Sequence, residues 1–204
     1  MHSLKQAART SSCVLLLWGV FGQAAHAQTE AARAVIEETS QAVLTVLQEP
    51  GAERASRRKR IQEIAYQSFD FSTMSKLVLA PGWKDFSEAQ RGEFVTEFKQ
   101  LLAANYGERI DQYDREKVQF VGERVEPRGD VTVKTRIVGG GPDVFEVDYR
   151  LRDRGDRWLV IDVVIEGVSL VHNYRSQFQE VLRKQGQAGL LAELRAVNAS
   201  SESG

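Results

Sequence analysis

The spacing of apolar residues changes character between Tyr113 and Val118, and that change limits this chain to one class of fold. Before it, apolar residues recur every three or four positions, as on one face of a helix. After it they alternate, as on one face of a strand, until about Glu166. The helical spacing then returns. The order is helices, a run of strands joined by short connections, then helices, which is the pattern of an α+β domain.

The first helix is expected over 29–48, with Ala32, Val35, Ile36, Val43, Val46 and Leu47 on one stripe, ended by Pro50-Gly51. A second spans Glu53 to Ser68, with Ile61, Ile64 and Ala65 inward. Its Arg57-Arg58-Lys59-Arg60 run can meet anionic headgroups or be a solvated face balanced by Glu53 and Glu63; the solvated face is preferred. Phe69-Asp70-Phe71-Ser72 enters a short helix ending at Pro81-Gly82. Ser87 and Gln90 then form a capping box for a helix carrying Phe94, Phe98, Leu101, Leu102 and Tyr106 on one face, which reaches Tyr113.

Four strands follow, Val118–Glu126, Asp130–Val138, Val144–Asp153 and Arg157–Glu166. Their joints, Pro127-Arg128-Gly129, Gly139-Gly140-Gly141-Pro142 and Arg154-Gly155-Asp156, are short enough for antiparallel hairpins. The last strand is apolar on both faces, since Leu159, Ile161, Val163 and Ile165 interleave with Val160 and Val164, as expected beneath helices or mid-sheet. Ser169 caps a further helix through Lys184. Gly186–Gly189 leads to a last one with Leu190, Leu191, Leu194 and Val197, and residues 198–204 are expected to be a disordered polar tail.

The N-terminus sets the compartment. Lys5 and Arg9 precede any acidic residue, Cys13–Phe21 is an apolar run too short to span a bilayer, and Ala25-His26-Ala27 is a signal-peptidase site. Residues 1–27 are therefore expected to be a signal peptide, followed by one domain over 28–197 and the tail, with export to the periplasm. Their removal takes two of the 27 basic residues and none of the 28 acidic ones, leaving a formal charge of −3 on 177 residues. The single cysteine goes too, so the core alone must hold the fold. A near-neutral chain offers nucleic acid little.

Catalytic groupings are sparse. Beyond residue 27 one histidine remains, His172, with no thiol; we expect no catalytic residues, no metal and no cofactor. Gly167-Val168-Ser169-Leu170-Val171 lacks the second glycine of a nucleophile elbow, and the glycines at 139–141 precede a strand and not a helix. Asp162, within the most apolar strand, is expected to pair with Arg175; the alternative is a general base, with Tyr149 as oxyanion donor, in a small enzyme.

Several segments together resemble the MlaC family, the toluene-tolerance or Ttg2-type auxiliary proteins of an ABC transport system. They are Phe69-Asp70-Phe71 with Met74-Ser75, then Leu79 and Trp83, then Gln90…Phe94…Phe98…Leu101-Leu102…Tyr106. The strongest likeness is Trp158…Asp162-Val163-Val164-Ile165-Glu166-Gly167-Val168-Ser169-Leu170-Val171 followed by Asn173-Tyr174-Arg175-Ser176-Gln177-Phe178. Ala80-Pro81-Gly82 departs from the usual Leu-Gly before the tryptophan region.

This resemblance implies a curved four-stranded antiparallel sheet wrapped by helices, a nuclear-transport-factor-2-like (NTF2-like) cone enclosing an apolar cavity. It implies a periplasmic phospholipid shuttle between an outer-membrane lipoprotein–porin complex and an inner-membrane MCE-domain ABC transporter, maintaining outer-membrane lipid asymmetry. Phospholipid is then the cargo and the protein a monomer. The candidate lining is Phe94, Phe98, Leu101, Leu102, Val133, Val147, Tyr149, Leu151, Trp158, Val160, Val164, Val168 and Tyr174. A chaperone of lipoproteins or polypeptides is the competing binding role.

The N-terminal reading predicts that the exported form starts at Gln28 by intact-mass measurement. A mass that retains Cys13 contradicts it.

Overall fold

The computed structural model describes residues 17–111, 116–139 and 144–202. Among them the elements are α1 (Leu17–Leu47), α2 (Arg54–Ser68), α3 (Phe71–Leu79), a 3-10 turn (Ala80–Asp85) and α4 (Glu88–Asp111). The strands β1 (Lys117–Val125), β2 (Val131–Val138), β3 (Phe145–Asp153), β4 (Trp158–Ile165) and β5 (Val168–Ser169) follow, and α5 (Leu170–Glu202) closes the order. The α+β order stands, with a fifth strand of two residues that periodicity cannot register. Tyr113 lies outside the described residues.

The strands form one antiparallel sheet in chain order, β1-β2-β3-β4-β5. Glu166 and Gly167, both at positive φ (50° and 78°), make the two-residue turn between β4 and β5, as a right-twisted hairpin requires. One face carries Val131, Val133, Leu151 and Val160, all fully buried against the helices. The other carries paired charges: Arg136 with Glu146 at 3.0 Å, Lys134 with Asp148 at 3.7 Å, and Arg124 with Glu126 at 2.7 Å. Such division is the ordinary solution for an antiparallel sheet with one face in water.

Two bulges adjust this pattern. In β1 the register slips between Phe120 and Gly122, leaving Val121 as an extra residue, 52% exposed. In β4, Leu151 pairs with Val160 but Arg150 pairs with Asp162, so Ile161 has no partner across the strand. An extra residue reverses which side chains face inward beyond it. Val163 and Ile165 therefore join the core, while Asp162 and Val164 point to the outer face.

Helix α1 lies along the inner face, with Ala32 and Ile36 buried in the core. Arg33 beside them donates to Glu123 at 2.9 Å and sits 4.6 Å from the centre of the Phe120 ring, closing the β1 edge. The far half of α1 belongs to a second, smaller cluster, Val46 and Leu47 with Ile61 of α2 and Ile110 of α4. Between the two clusters run polar contacts: Thr39 Oγ1 to Ser68 Oγ at 2.7 Å, and Lys99 Nζ 3.2 Å from the Tyr66 ring centre. Burial lowers the Lys99 pKa. No described helix is long and apolar enough to cross a membrane.

Caps read from the sequence are present. Ser87 N–H donates to Gln90 Oε1 at 2.9 Å and Gln90 N–H to Ser87 Oγ at 3.3 Å. Asp70 accepts from Thr73 N–H at 2.8 Å, and its own N–H bonds to Val160 O, which ties α3 to β4. Burial pushes the Asp70 carboxyl up, but the bonds from Thr73 and Arg154 outweigh it and hold the pKa below the ordinary value. Ala80 ends α3 at φ 51°, ψ −128°, the first central position of a type II′ turn, which favours glycine.

Two expectations are corrected. Asp162, 4% exposed, does not pair with Arg175. Its Oδ2 accepts from Ser169 Oγ at 2.7 Å and from Arg150 at 3.4 Å, and its Oδ1 from Val171 N–H at 3.1 Å. Ser169 Oγ in turn accepts from His172 N–H at 3.0 Å, so Ser169 caps α5 and Asp162 supports the cap. Arg175 instead donates through Nε and Nη2 to Leu77 O at 2.9 and 2.6 Å, near the end of α3 where carbonyls lack helical partners. The break expected between the helix through Lys184 and the last helix is present: α5 is two helical segments joined at Gly186 (φ 66°, ψ −171°), a conformation essentially confined to glycine. Residues 198–202 are helical and not a disordered tail, because Asn198 is buried and donates to Glu97 O and Oε2 on α4.

Asp162→Ala is expected to cost about 2–3 kcal/mol, a helix cap plus buried charge-assisted hydrogen bonds. In a double-mutant cycle read by urea melts, coupling to Arg150 should stay below about 1 kcal/mol, because that long pair is partly hydrated. Coupling to Arg175 should be absent, and a large Asp162–Arg175 coupling would contradict the assignment.

Candidate functional site

The antiparallel register arranges the inner face in four rows. Val125, Val131, Leu151 and Val160 make the deepest, then Glu123, Val133, Tyr149 and Val163. Phe120, Thr135, Val147, Ile165 and Val168 make the third, and Val118, Ile137 and Phe145 the outermost. Burial falls along this series in β3 to β5, whereas Val125 at the β1 edge is 41% exposed and Thr135 of β2 only 1%. Val131, Val133, Leu151 and Val160 are at 0% exposure, Val147, Tyr149 and Ile165 are half-buried, and Phe145 and Val168 reach 40% and 56%. An apolar face that runs from a sealed end to a bare rim is the main feature of this site.

Helices α4 and α5 face this surface with aromatic rings. The bonded pairs show that they run antiparallel: Phe178 meets Phe94 at 5.7 Å between ring centres, Tyr174 meets Phe98 at 5.4 Å, and the Tyr174 hydroxyl accepts from Asn105 Nδ2 at 2.9 Å. Phe94 and Phe98 stack at 5.8 Å, and Phe86 meets the edge of Phe94 at 6.0 Å. Spacings of 4.5–7 Å in such orientations are favourable for rings. Burial, with Tyr174 beside it, pushes the Tyr106 pKa up to about 12.

Of the thirteen predicted lining residues, nine are buried in one cluster: Phe94, Phe98, Leu101, Leu102, Val133, Leu151, Trp158, Val160 and Tyr174. Val147 and Tyr149 pack against it from the third and second rows. Val168 shares the inner face by register but stands at the rim. Val164 is removed from the set, since the Ile161 bulge turns it outward. Phe178, Val163, Ile165, Phe120 and Phe145 belong to the face and were missed. Phe178 follows Tyr174 by one helical turn and was recoverable from spacing; Val163 and Ile165 were hidden by the bulge.

Two open grooves flank α1. One, about 390 Å³, lies against α2 between Val46, Ile64 and Arg60. The other, about 340 Å³, runs between α1 and β1, lined by Glu37, Ser40, Gln41, Leu44, Lys117, Val118 and Phe120. Its floor includes Val118 and Phe120 of the two outer rows, so it leads onto the inner face at the open end.

The enzymatic alternative loses its geometry here. Tyr149 pairs with Val163 on the inner face and Asp162 pairs with Arg150 on the outer. A base and an oxyanion donor on opposite faces of one sheet do not meet one substrate. The inner face instead presents a mainly apolar surface packed against the rings of α4 and α5.

Comparison with known proteins fits this architecture. A phospholipid-binding protein from Ralstonia solanacearum, solved in complex with a phospholipid, superposes with a TM-score of 0.76 at 23% identity, covering 84% of this chain and 98% of that one. The intermembrane phospholipid transport system binding protein MlaC of Haemophilus influenzae is 26% identical over 123 residues, 57% of this chain and 56% of that protein. The toluene tolerance protein ttg2D of Pseudomonas putida is 24% identical over 97 residues, 48% of this chain and 45% of that protein. The chain thus spans about half the length of the curated relatives it matches. The sequence profile described as MlaC protein matches residues 37–196, from the middle of α1 to the last turns of α5. With the match running through every element that builds the site, the chain belongs to the MlaC family.

Proposed function

We propose that this protein binds a diacyl phospholipid, with the acyl chains between the inner face of the sheet and the α4–α5 rings and the headgroup at the rim. The observation that carries this reading is the exposure gradient along one apolar face, from Leu151 and Val160 at 0% to Phe145 at 40% and Val168 at 56%. A two-chained lipid matches that gradient, being apolar at one end and hydrated at the other. Family membership, the phospholipid transport system binding protein of Haemophilus influenzae and the phospholipid-binding protein of Ralstonia solanacearum support the same ligand.

Two chains of about 15 methylenes each represent roughly 24 kcal/mol of transfer out of water, at about 0.8 kcal/mol per methylene. A bilayer supplies about as much. Exchange with a membrane or a membrane-bound partner is then near balance, while escape into water is negligible. Because the lining residues here pack on one another, a lipid must part the sheet from the rings, and the groove between α1 and β1 is the route of least rearrangement. The lining closes again on release, so an empty carrier does not leave that surface in water. The sheet and helices then act as the walls of an NTF2-like cone.

In this reading the protein is a periplasmic, monomeric shuttle without catalysis or cofactor. It takes phospholipid between an outer-membrane lipoprotein–porin complex and an inner-membrane MCE-domain ABC transporter, and so maintains outer-membrane lipid asymmetry. Cleavage before Gln28 is compatible with the fold, since Ala25–Gln28 are exposed and the first buried side chain after them is Ala32.

Two substitutions in adjacent strands separate the site from the fold. Val147→Glu places a carboxylate on the inner face, where it must be desolvated or protonated, and is expected to yield protein purified without phospholipid. Val164→Glu faces outward beside Asp148 and should keep its lipid. Circular dichroism and thermal melting check folding, and lipid extraction with mass spectrometry reads the cargo. Equal lipid content in the two folded variants, or none in wild type even after incubation with vesicles, would overturn the proposal.

A further inference from the structure

Near the open end of the α4–α5 pair, two tyrosines and an asparagine form a small polar cluster. Asn105 Nδ2 donates to the Tyr174 hydroxyl at 2.9 Å, and the Tyr106 hydroxyl lies beside the same group. Tyr174 is 5% exposed and packs against Phe98 and Phe178, so its hydroxyl is the polar end of an otherwise apolar ring. Tyr106 is half-buried on the next turns of α4, toward Asp111, and α4 is followed in the chain by β1, whose Val118 stands in the outermost row of the sheet. The cluster therefore lies between the dry aromatic end and the rim.

Hydrogen-bond accounting leaves this cluster with a donor to spare. Each phenol has one hydrogen and can also accept. Asn105 contributes a donor, not an acceptor, to Tyr174. Among the described hydrogen bonds the phenolic hydrogen of Tyr174 has no acceptor. A spare donor on a ring this buried is unfavourable until a ligand or water satisfies it. Neutral donors at this depth suit a neutral acceptor better than a phosphate, whose charge would need a cation or water.

Resting on the lipid-carrier reading above, we infer that Tyr106, Tyr174 and Asn105 form a subsite for the ester carbonyl oxygens of a diacyl glycerolipid. The ester groups mark the boundary between acyl chains and headgroup, and the cluster marks the same boundary in the protein. The subsite fixes how deep the lipid sits: chains beyond the tyrosines, phosphate outside them.

The test is a competition. The full chain is incubated with vesicles containing equal amounts of diester and diether phosphatidylglycerol of the same chain length, and the extracted lipid is quantified by mass spectrometry. The two lipids share chains and phosphate and differ in the carbonyl oxygens. Wild type is expected to load the diester in about three- to tenfold excess, the range of one or two hydrogen bonds. Tyr174→Phe and Tyr106→Phe should each bring the ratio toward one while still loading lipid. Tyr106, being half-buried, gives the readout if Tyr174→Phe proves unstable to thermal melting. Wild type loading both lipids equally, or both variants keeping the wild-type ratio, overturns the subsite and leaves the carrier intact. Wild type loading neither lipid overturns the carrier and the subsite with it.

Discussion

One extra residue in β4 determines how the two sides of this sheet are used. Because Ile161 has no partner in β3, the side chains beyond it exchange faces. Val163 and Ile165 extend the apolar surface toward the rim, and Asp162 emerges on the outer side. There Asp162 receives Ser169 and the Val171 amide, which fixes where α5 begins and how it leaves the sheet. From that start α5 runs back along α4, which brings Tyr174 to Phe98 and Phe178 to Phe94. Without the bulge, a carboxylate would lie among the apolar residues of the inner face and α5 would lose the support for its cap.

The same packing lets the proposed carrier be both stable and exchangeable. The deep rows are sealed by close aromatic contacts and the outer rows are not, so cohesion falls toward the end where the proposed lipid enters. The polar seam between the two helical clusters, Thr39 with Ser68 and Lys99 over Tyr66, separates the α1–α2 corner from the main core. Motion of that corner need not break the aromatic cluster. Local openings of this kind draw on the least cohesive parts of a structure.

Much of this was legible in the sequence because the signals were periodic or chemically specific. The switch in spacing after Tyr113 located the sheet, Ser87 with Gln90 located the start of α4, and Ser169 located the start of α5. Eleven of the thirteen candidate lining residues lie in or against one apolar cluster, since strand alternation and helical spacing both report burial. What was missed has physical reasons. A bulge is a property of two strands and leaves no mark in one, so Val164 was counted among the lining residues and Val163 was not. The partner of Asp162 depended on where α5 passes, and Arg150 across the sheet was closer than Arg175 along the chain. The helix beyond residue 197 depends on Asn198 bonding to Glu97, a contact 101 positions away.

The most direct test of the account is to locate the acyl chains. A phosphatidylglycerol carrying a photoactivatable group near the end of one chain would be loaded into the wild-type chain, irradiated, and its attachment sites mapped by peptide mass spectrometry. The account predicts adducts on the deep and middle rows and on the facing rings, at Tyr149, Leu151, Val160 and Phe98. Adducts confined to the outer face near Val164 and Arg150, or to the α1–α2 groove at Val46 and Ile64, would contradict it.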